Sequence, residues 1–168
     1  RLKPFLGHAA DELTAADQGI SMDNWSIYDE IIQPIFNAKC TECHDENKVK
    51  GDLRIDSFEW LSKGGDITDQ EVIPGDAEAS ELYFRVVLDP DDDDFMPPGD
   101  REHMTPDEIA LLGWWINEGG TQEMTVGGTE KDENIERILS EMMSKTEAET
   151  EGKTAGTNPP TLGEAIRS

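Results

Sequence analysis

Hydrophobic residues in the first part of the chain follow a helical spacing. Between residues 25 and 36 they form a stripe that leads directly to Cys40: Ile27, Ile31, Ile32, Ile35 and Phe36. Pro34 interrupts this pattern, so we expect a kink or a late start of the helix there. Residues 1–24 show only a weak pattern and are expected to form a loosely packed N-terminal extension.

The strongest helical pattern lies between residues 106 and 118. Thr105 fits the N-cap, Pro106 fits the first helical position, and Glu108 completes a capping box. The pair Gly119-Gly120 then ends the helix. The apolar residues cover a face broad enough for burial on more than one side: Ile109, Leu111, Leu112, Trp114, Trp115 and Ile116. This pattern predicts a core helix.

Shorter helices are predicted over residues 57–61 and 77–87, separated by turns and loops. Prolines and acidic residues exclude regular structure from residues 89–100. A further amphipathic helix is predicted near residues 134–145, with one apolar stripe: Ile135, Ile138, Leu139, Met142 and Met143. Residues 146–168 are polar and include Pro159-Pro160, so we expect disorder or an extended path there.

The side-chain charges are strongly unbalanced. With 38 acidic and 14 basic side chains, the formal net charge is -24. Nucleic acids and anionic lipid surfaces are therefore implausible partners, and a basic protein partner suits the chain better. An alternative of equal weight is that the acidity only keeps the chain soluble or suits a salty habitat.

Apolar stretches are too short for a membrane span. The longest covers residues 109–116, far short of the roughly 20 residues that cross a bilayer. We therefore expect a soluble segment, with any membrane anchor outside this chain. Since the sequence starts at Arg1 without an initiator methionine or a signal peptide, we expect a processed chain or a part of a larger protein.

The most specific chemical signal is the motif Cys40-Thr41-Glu42-Cys43-His44, which has the C-x-x-C-H arrangement of haem attachment. On a helical turn, both thiols can reach the vinyl groups at one edge of a porphyrin while His44 presents a ring nitrogen to the iron. A thioredoxin-type redox pair should follow a strand, and a zinc site usually needs another cysteine pair. A helical stripe precedes Cys40 and no third cysteine exists, so we predict one covalently attached haem c.

The predicted sixth ligand of the iron is Met96. It is followed by Pro97 and Pro98, which stiffen the backbone and can hold the thioether against the open haem face. The rival candidates are His103 and Met104. The alternative to a ligand role is that Met96 only fills space in the core, as most methionines do.

Further residues are weaker candidates for the haem pocket. Phe36 is expected to pack on the haem edge, as is Trp114 or Trp115, although core aromatics would show the same pattern. Arg54 and Arg85 are candidates to pair with haem propionates, with surface ion pairs as the alternative. The acidic run at residues 89–94 leads to the predicted ligand and is expected to be a solvated loop near the pocket. A calcium site or a docking patch is the alternative, although the spacing is not that of an EF-hand.

Residues 28–121 resemble the planctomycete-type cytochrome c domains. Besides the C-x-x-C-H motif, the matching blocks in order are residues 32–36 and 50–57, Val72-Ile73-Pro74-Gly75-Asp76, Ser80-Glu81-Leu82-Tyr83-Phe84-Arg85-Val86, Met96-Pro97-Pro98 and the helix that ends at Gly119-Gly120. The resemblance implies a compact helical cytochrome c fold with Met96 as the distal ligand. It also implies a module of a larger secreted or membrane-attached bacterial protein on the periplasmic side.

These observations predict an all-α, cytochrome c-like fold with long loops around one haem. The expected organisation is an N-terminal extension over residues 1–24, a cytochrome c domain over 25–121 and an acidic C-terminal extension over 122–168. The expected function is one-electron transfer to and from a redox partner that is basic at its docking face, rather than catalysis. Alternatives are a haem-based sensor or peroxidase-like domain with a displaceable sixth ligand, or electron delivery to a fused enzyme.

Overall fold

A computed structural model describes residues 21–154, and these residues form helices and loops without any β-strand, which confirms the predicted all-α class. The helices are α1 (Gln33–Lys39), α2 (Phe58–Leu61), α3 (Glu81–Val87), α4 (Pro106–Asn117) and α5 (Glu133–Thr154), with 3-10 turns at Lys50–Asp52 and Val126–Gly128. Most of the predicted N-terminal extension and the Pro159-Pro160 segment lie outside the described residues.

The first helix begins with an irregular turn. Tyr28–Ile32 is wound as a π-helix, and the Gln33 N–H donates to the carbonyl oxygen of Tyr28. The α-helical winding starts only at Gln33, with Pro34 in its first turn. Pro34 has no N–H to donate, and the change from π to α winding falls one residue before it. The helical backbone already begins at Ile27, so the expectation of a late start at Pro34 is wrong, and the irregularity near Pro34 is this change of winding.

Helix α4 lies at the centre of the core. It contacts the Tyr28–Ile32 turn, α3 and α5. Trp115 is fully buried, and its ring centroid lies 5.3 Å from that of Tyr28. Phe58 of α2 completes the cluster edge-on to Tyr28, with a centroid separation of 5.0 Å. Aromatic packing thus joins the first helical segment, α2 and α4 in one core.

Both predicted ends of α4 are confirmed. The Thr105 hydroxyl accepts from the Glu108 N–H at 3.2 Å, and the Glu108 carboxylate accepts from the Thr105 N–H at 2.7 Å, which is a complete capping box. Beyond the helix, Gly120 has a φ of 62°, and a Cβ there would meet Val72 at 2.8 Å. Glycine is thus favoured at position 120 for two reasons, the positive φ and the close contact with Val72.

Helix α5 is longer than the sequence predicts. Its buried residues Ile135, Ile138 and Leu139 belong to the predicted stripe, and the helix contacts α4. The backbone stays helical to Thr154, so the expectation of disorder or an extended path is wrong for residues 146–154. This stretch contains glutamate and alanine, which are good helix formers, and adding residues to an existing helix costs far less than starting one. In residues 21–154, no helix is both long and apolar enough to cross a membrane.

Two distant segments are joined where the chain enters and leaves the helical core. The Ile27 N–H donates to the Met124 carbonyl at 2.9 Å, and the Val126 N–H donates to the Trp25 carbonyl at 3.0 Å. A third bond runs from the Gly127 N–H to the Asp23 carbonyl at 2.8 Å. Residues 23–27 therefore lie beside residues 124–127.

Candidate functional site

The C-x-x-C-H motif, here called the motif segment (residues 40–44), continues directly from the end of α1. The Cys40 N–H donates to the Phe36 carbonyl at 2.8 Å, as the last bond of the helix. The N–H groups of Cys43 and His44 then both donate to the Cys40 carbonyl, at 3.1 and 3.2 Å. These bonds fold the motif segment into one tight turn, so both thiols and the imidazole reach the same cavity.

The chain after the motif segment holds His44 in place. The Ile55 N–H donates to the His44 carbonyl at 3.0 Å, and the His44 Nδ1 lies 3.3 Å from the Leu53 carbonyl oxygen. A carbonyl oxygen only accepts, so this bond requires the proton on Nδ1 and leaves the Nε2 lone pair free for a metal. Burial lowers the pKa of His44, which also favours the neutral, metal-binding form.

The motif segment forms one side of a cavity of about 310 Å³. Pockets for small molecules and cofactors have volumes of about 300–1,000 Å³ and mostly apolar walls. Here the apolar wall residues include Leu53, Ile55, Leu82 and Val86, and the predicted site residues in the wall are Cys40, Cys43, His44, Arg85, Met96 and Pro97. Six side chains chosen from the sequence thus meet in one cavity.

The two thiols are not bonded to each other. Cys43 is buried, and burial, together with the nearby carboxylate of Glu108, raises the pKa of Cys40 to about 12. The thiols of redox C-x-x-C pairs have lowered pKa values instead, because the thiolate is the reactive form. The surroundings of Cys40 therefore do not favour the thioredoxin-type alternative.

Met96 enters the cavity from a segment without regular structure, the Met96 loop (residues 89–101). The Met96 N–H donates to the Arg85 carbonyl at 3.0 Å, which ties the loop to α3. The neighbouring Phe95 is buried, edge-on to His103 with a centroid distance of 4.7 Å. His103 and the buried Met104, the rival ligands, are not among the residues that line the cavity.

The acidic part of the Met96 loop is exposed and largely satisfies its own backbone. The Asp89 carboxylate accepts from the Asp91 N–H at 3.0 Å, and the Asp92 carboxylate accepts from the Asp94 N–H at 2.9 Å. Asp94 also lies 3.5 Å from the Arg85 guanidinium. Within residues 21–154, no group of three or more His, Cys, Asp or Glu side chains is arranged to hold a metal ion.

Four predicted pocket residues are not in the cavity wall. Arg54 instead forms an ion pair with Asp56 at 2.6 Å and covers the Trp60 ring. The aromatic candidates Phe36, Trp114 and Trp115 are buried in the hydrophobic core. Helical spacing places an aromatic residue inward, but it does not distinguish a core contact from a cofactor contact.

Sequence reasoning missed most of the charged residues of the wall, among them Lys39, Glu71 and Arg101. Lys39 is buried and forms ion pairs with Glu102 and Glu108. Charged residues are common throughout the sequence, so the charge of these three did not indicate a place in the cavity. Their position in the wall depends on contacts between distant segments.

Arg101 provides a direct test of whether the cavity suits a haem. Its Nε is buried, and no acceptor in the described part of the chain lies within hydrogen-bonding distance. Leaving a buried donor unpaired costs about 1–3 kcal/mol, so the site calls for an acceptor from a ligand. Haem carries carboxylates as well as a large apolar ring and an iron that binds imidazole and thioether. The thiols, the imidazole, the thioether, the apolar wall and this donor together fit that group.

Comparison with known proteins agrees with this geometry. A family model described as Planctomycete cytochrome C matches residues 40–100, which contain the motif segment and the Met96 loop. No curated protein matches the chain, and no solved structure does. The resemblance predicted from the sequence is thus confirmed over residues 40–100, which are similar to the Planctomycete cytochrome C family.

Proposed function

We propose that this chain is a single-haem c-type cytochrome that carries one electron at a time. Cys40 and Cys43 would attach the haem covalently, and His44 and Met96 would bind its iron. When bound, the haem supplies a centre that gains and loses one electron. The observation that carries this proposal is that all four side chains line the same cavity, although Met96 lies 52 positions after His44 in the sequence.

The other wall residues would hold and insulate the cofactor. The apolar side chains of Leu53, Ile55 and Leu82 would exclude water from the haem ring. Arg101, with its unpaired Nε, and Arg85 would pair with the haem carboxylates, because cations offset carboxylates that are partly removed from water. Arg54 does not line the cavity, and its guanidinium pairs with Asp56 outside the wall.

The proposal includes an extracytoplasmic location, on the periplasmic side of a bacterial membrane and within a larger exported or membrane-attached protein. The family match supports this location, because haem c is attached outside the cytoplasm. For the redox partner, we propose a protein with a basic docking face. The support is the net charge of -24, which attracts cationic surfaces and speeds their encounter at low salt.

The test is the mass and absorption spectrum of protein that is made together with a haem-attachment system. We expect one haem per chain that stays bound on acid-acetone extraction, and a low-spin spectrum in both oxidation states. The double variant Cys40→Ala, Cys43→Ala should release its pigment under the same extraction. Correctly matured protein without covalent haem would overturn the proposal. Rapid binding of carbon monoxide by the reduced protein would favour a sensor or peroxidase-like domain over a carrier.

A further inference from the structure

One acidic residue of the cavity wall has an unusual environment. Glu71 is only 4% exposed, in a wall that includes the apolar residues Leu82 and Val86. No hydrogen bond or ion pair reaches its carboxyl group from the described residues, whereas the other buried charged residue there, Lys39, is paired with two glutamates. Burying an unpaired carboxylate is costly, so such a group tends to bind a proton instead.

The backbone holds Glu71 firmly at this place. Its carbonyl oxygen accepts from the Leu82 N–H at 3.1 Å, which joins it to the start of α3. On the other side lies Gly65, where an added Cβ would be 3.4 Å from the Glu71 Oε1. The carboxyl group therefore lies between α3 and the loop before it, at the wall of the cavity.

The charges around Glu71 act mainly against ionisation. Glu81 on α3 and Asp66 in the loop both disfavour a second negative charge, and Arg85 on α3 favours one. Arg85 is already engaged by Glu81 at 2.7 Å and by Asp94. Burial is the largest cause, and the combined effect raises the pKa of Glu71 to about 7. Both forms of the carboxyl group are therefore populated near neutral pH.

We propose that Glu71 is a redox-linked proton acceptor of this site. When one electron arrives from the redox partner protein, the Glu71 carboxylate binds one proton from solvent and becomes a carboxylic acid. When the electron leaves to an oxidised partner, the proton returns to solvent. One electron and one proton thus move in the same direction, and the net charge of the cavity stays unchanged. This inference rests on the proposed one-electron function.

The sign follows from electrostatics. An added electron makes the cavity more negative, which disfavours the carboxylate and raises the proton affinity of Glu71 in the reduced protein. Between the proton-binding midpoints of the oxidised and reduced forms, reduction takes up a proton, so the midpoint potential falls as pH rises. The slope approaches about 59 mV per pH unit when one full proton accompanies each electron.

The experiment measures the midpoint potential of the haem-loaded protein by voltammetry from pH 5 to pH 9. We expect a falling potential in the region of about pH 6 to 8, where a group with this environment titrates. Glu71→Gln, which keeps the side-chain shape but cannot ionise, should lose most of this slope. The control is Glu59→Gln, which removes one exposed charge outside the cavity wall and should keep the wild-type slope.

A second measurement does not depend on how well the variant folds. Reduced-minus-oxidised infrared difference spectra of the wild-type protein near pH 7 should show a new carboxylic acid band, which is absent in Glu71→Gln if that variant is stable. Glu71→Asp keeps the acid and should keep a pH dependence with a displaced midpoint. A wild-type potential that is constant over this pH range, or an unchanged slope in Glu71→Gln, would overturn the role of Glu71 alone. Matured protein without covalent haem would overturn the proposed function as well.

Discussion

The motif segment and the Met96 loop both bring a predicted iron ligand to the cavity, but they are built differently. The motif segment continues a helix, and Cys40, Cys43 and His44 are held by backbone hydrogen bonds within it and to the chain that follows. The Met96 loop has no regular structure, and its ties near the ligand include one backbone bond to α3, the contact of the Arg85 guanidinium with Asp94 and the buried side chain of Phe95. The proposed attachment thus relies on local helical structure, whereas the proposed sixth ligand depends on an irregular loop that is held by contacts to α3 and by its own side chains.

The largest effect is expected on the helix-built side, for His44→Ala. This change removes a proposed iron ligand and also the bond to the Leu53 carbonyl. Replacing a group that only orients a metal ligand lowers metal affinity by about 10–100-fold. Removing the ligand itself should lower the haem content by more than this factor. Pyridine haemochrome assay of the matured protein measures it. His103→Ala is the matched control, since His103 is not in the cavity wall. Normal haem content and a low-spin spectrum in His44→Ala would contradict the assignment.

A smaller and different effect is expected on the loop side, for Met96→Leu. Leucine has nearly the same volume, so the wall stays filled while the sulfur is removed. Covalent haem should remain, the ferric spectrum should become high-spin, and the potential should fall by on the order of 0.1 V, because axial ligands tune it over about 0.8 V.

The control for this change is Met104→Leu, at the rival methionine, which is buried in the core outside the cavity wall. It should leave the spectrum and the potential as in the wild type. If Met104→Leu gave the high-spin spectrum and Met96→Leu did not, the two assignments would be exchanged.

The smallest of these effects is expected for Arg101→Gln, which touches both regions. The Arg101 guanidinium donates to the Pro98 carbonyl at 3.0 Å and lies 3.8 Å from the Glu42 carboxylate of the motif segment. A cation near the haem favours the reduced state, so its loss should lower the midpoint potential. The change in redox free energy should be about 1 kcal/mol at an effective dielectric constant near 20. Arg54→Gln provides the comparison, because that cation pairs with Asp56 away from the wall. A larger shift in Arg54→Gln would return the carboxylate-binding role to Arg54.

Local signals in the sequence were enough to predict several parts of this molecule. The capping box of Thr105 and Glu108, the helix irregularity near Pro34 and the C-x-x-C-H motif each involve residues within a few positions of one another. Their physics is carried by neighbouring backbone and side-chain groups, so spacing alone predicts them. Met96 was predicted because Pro97 and Pro98 mark it in the same local way.

Other parts depend on contacts that spacing does not encode. Arg54 and Arg101 look alike as isolated basic residues, yet one is held by Asp56 and Trp60 while the other reaches the cavity. Glu71 is one of 38 acidic residues, and only the packing of α3 against the preceding loop makes it buried. Side chains that are selected by tertiary packing in this way have no sequence signature of their own.

The hydrogen bonds between residues 23–27 and 124–127 have a consequence for larger assemblies. They bring the start and the end of the helical core together, so the intervening residues, about one hundred, begin and end at the same place. A domain whose two ends lie close together can be inserted into a larger protein with little change in the distance between the segments on either side of it. A unit built this way is portable, since it would bring the proposed redox centre without requiring its neighbours to be rearranged.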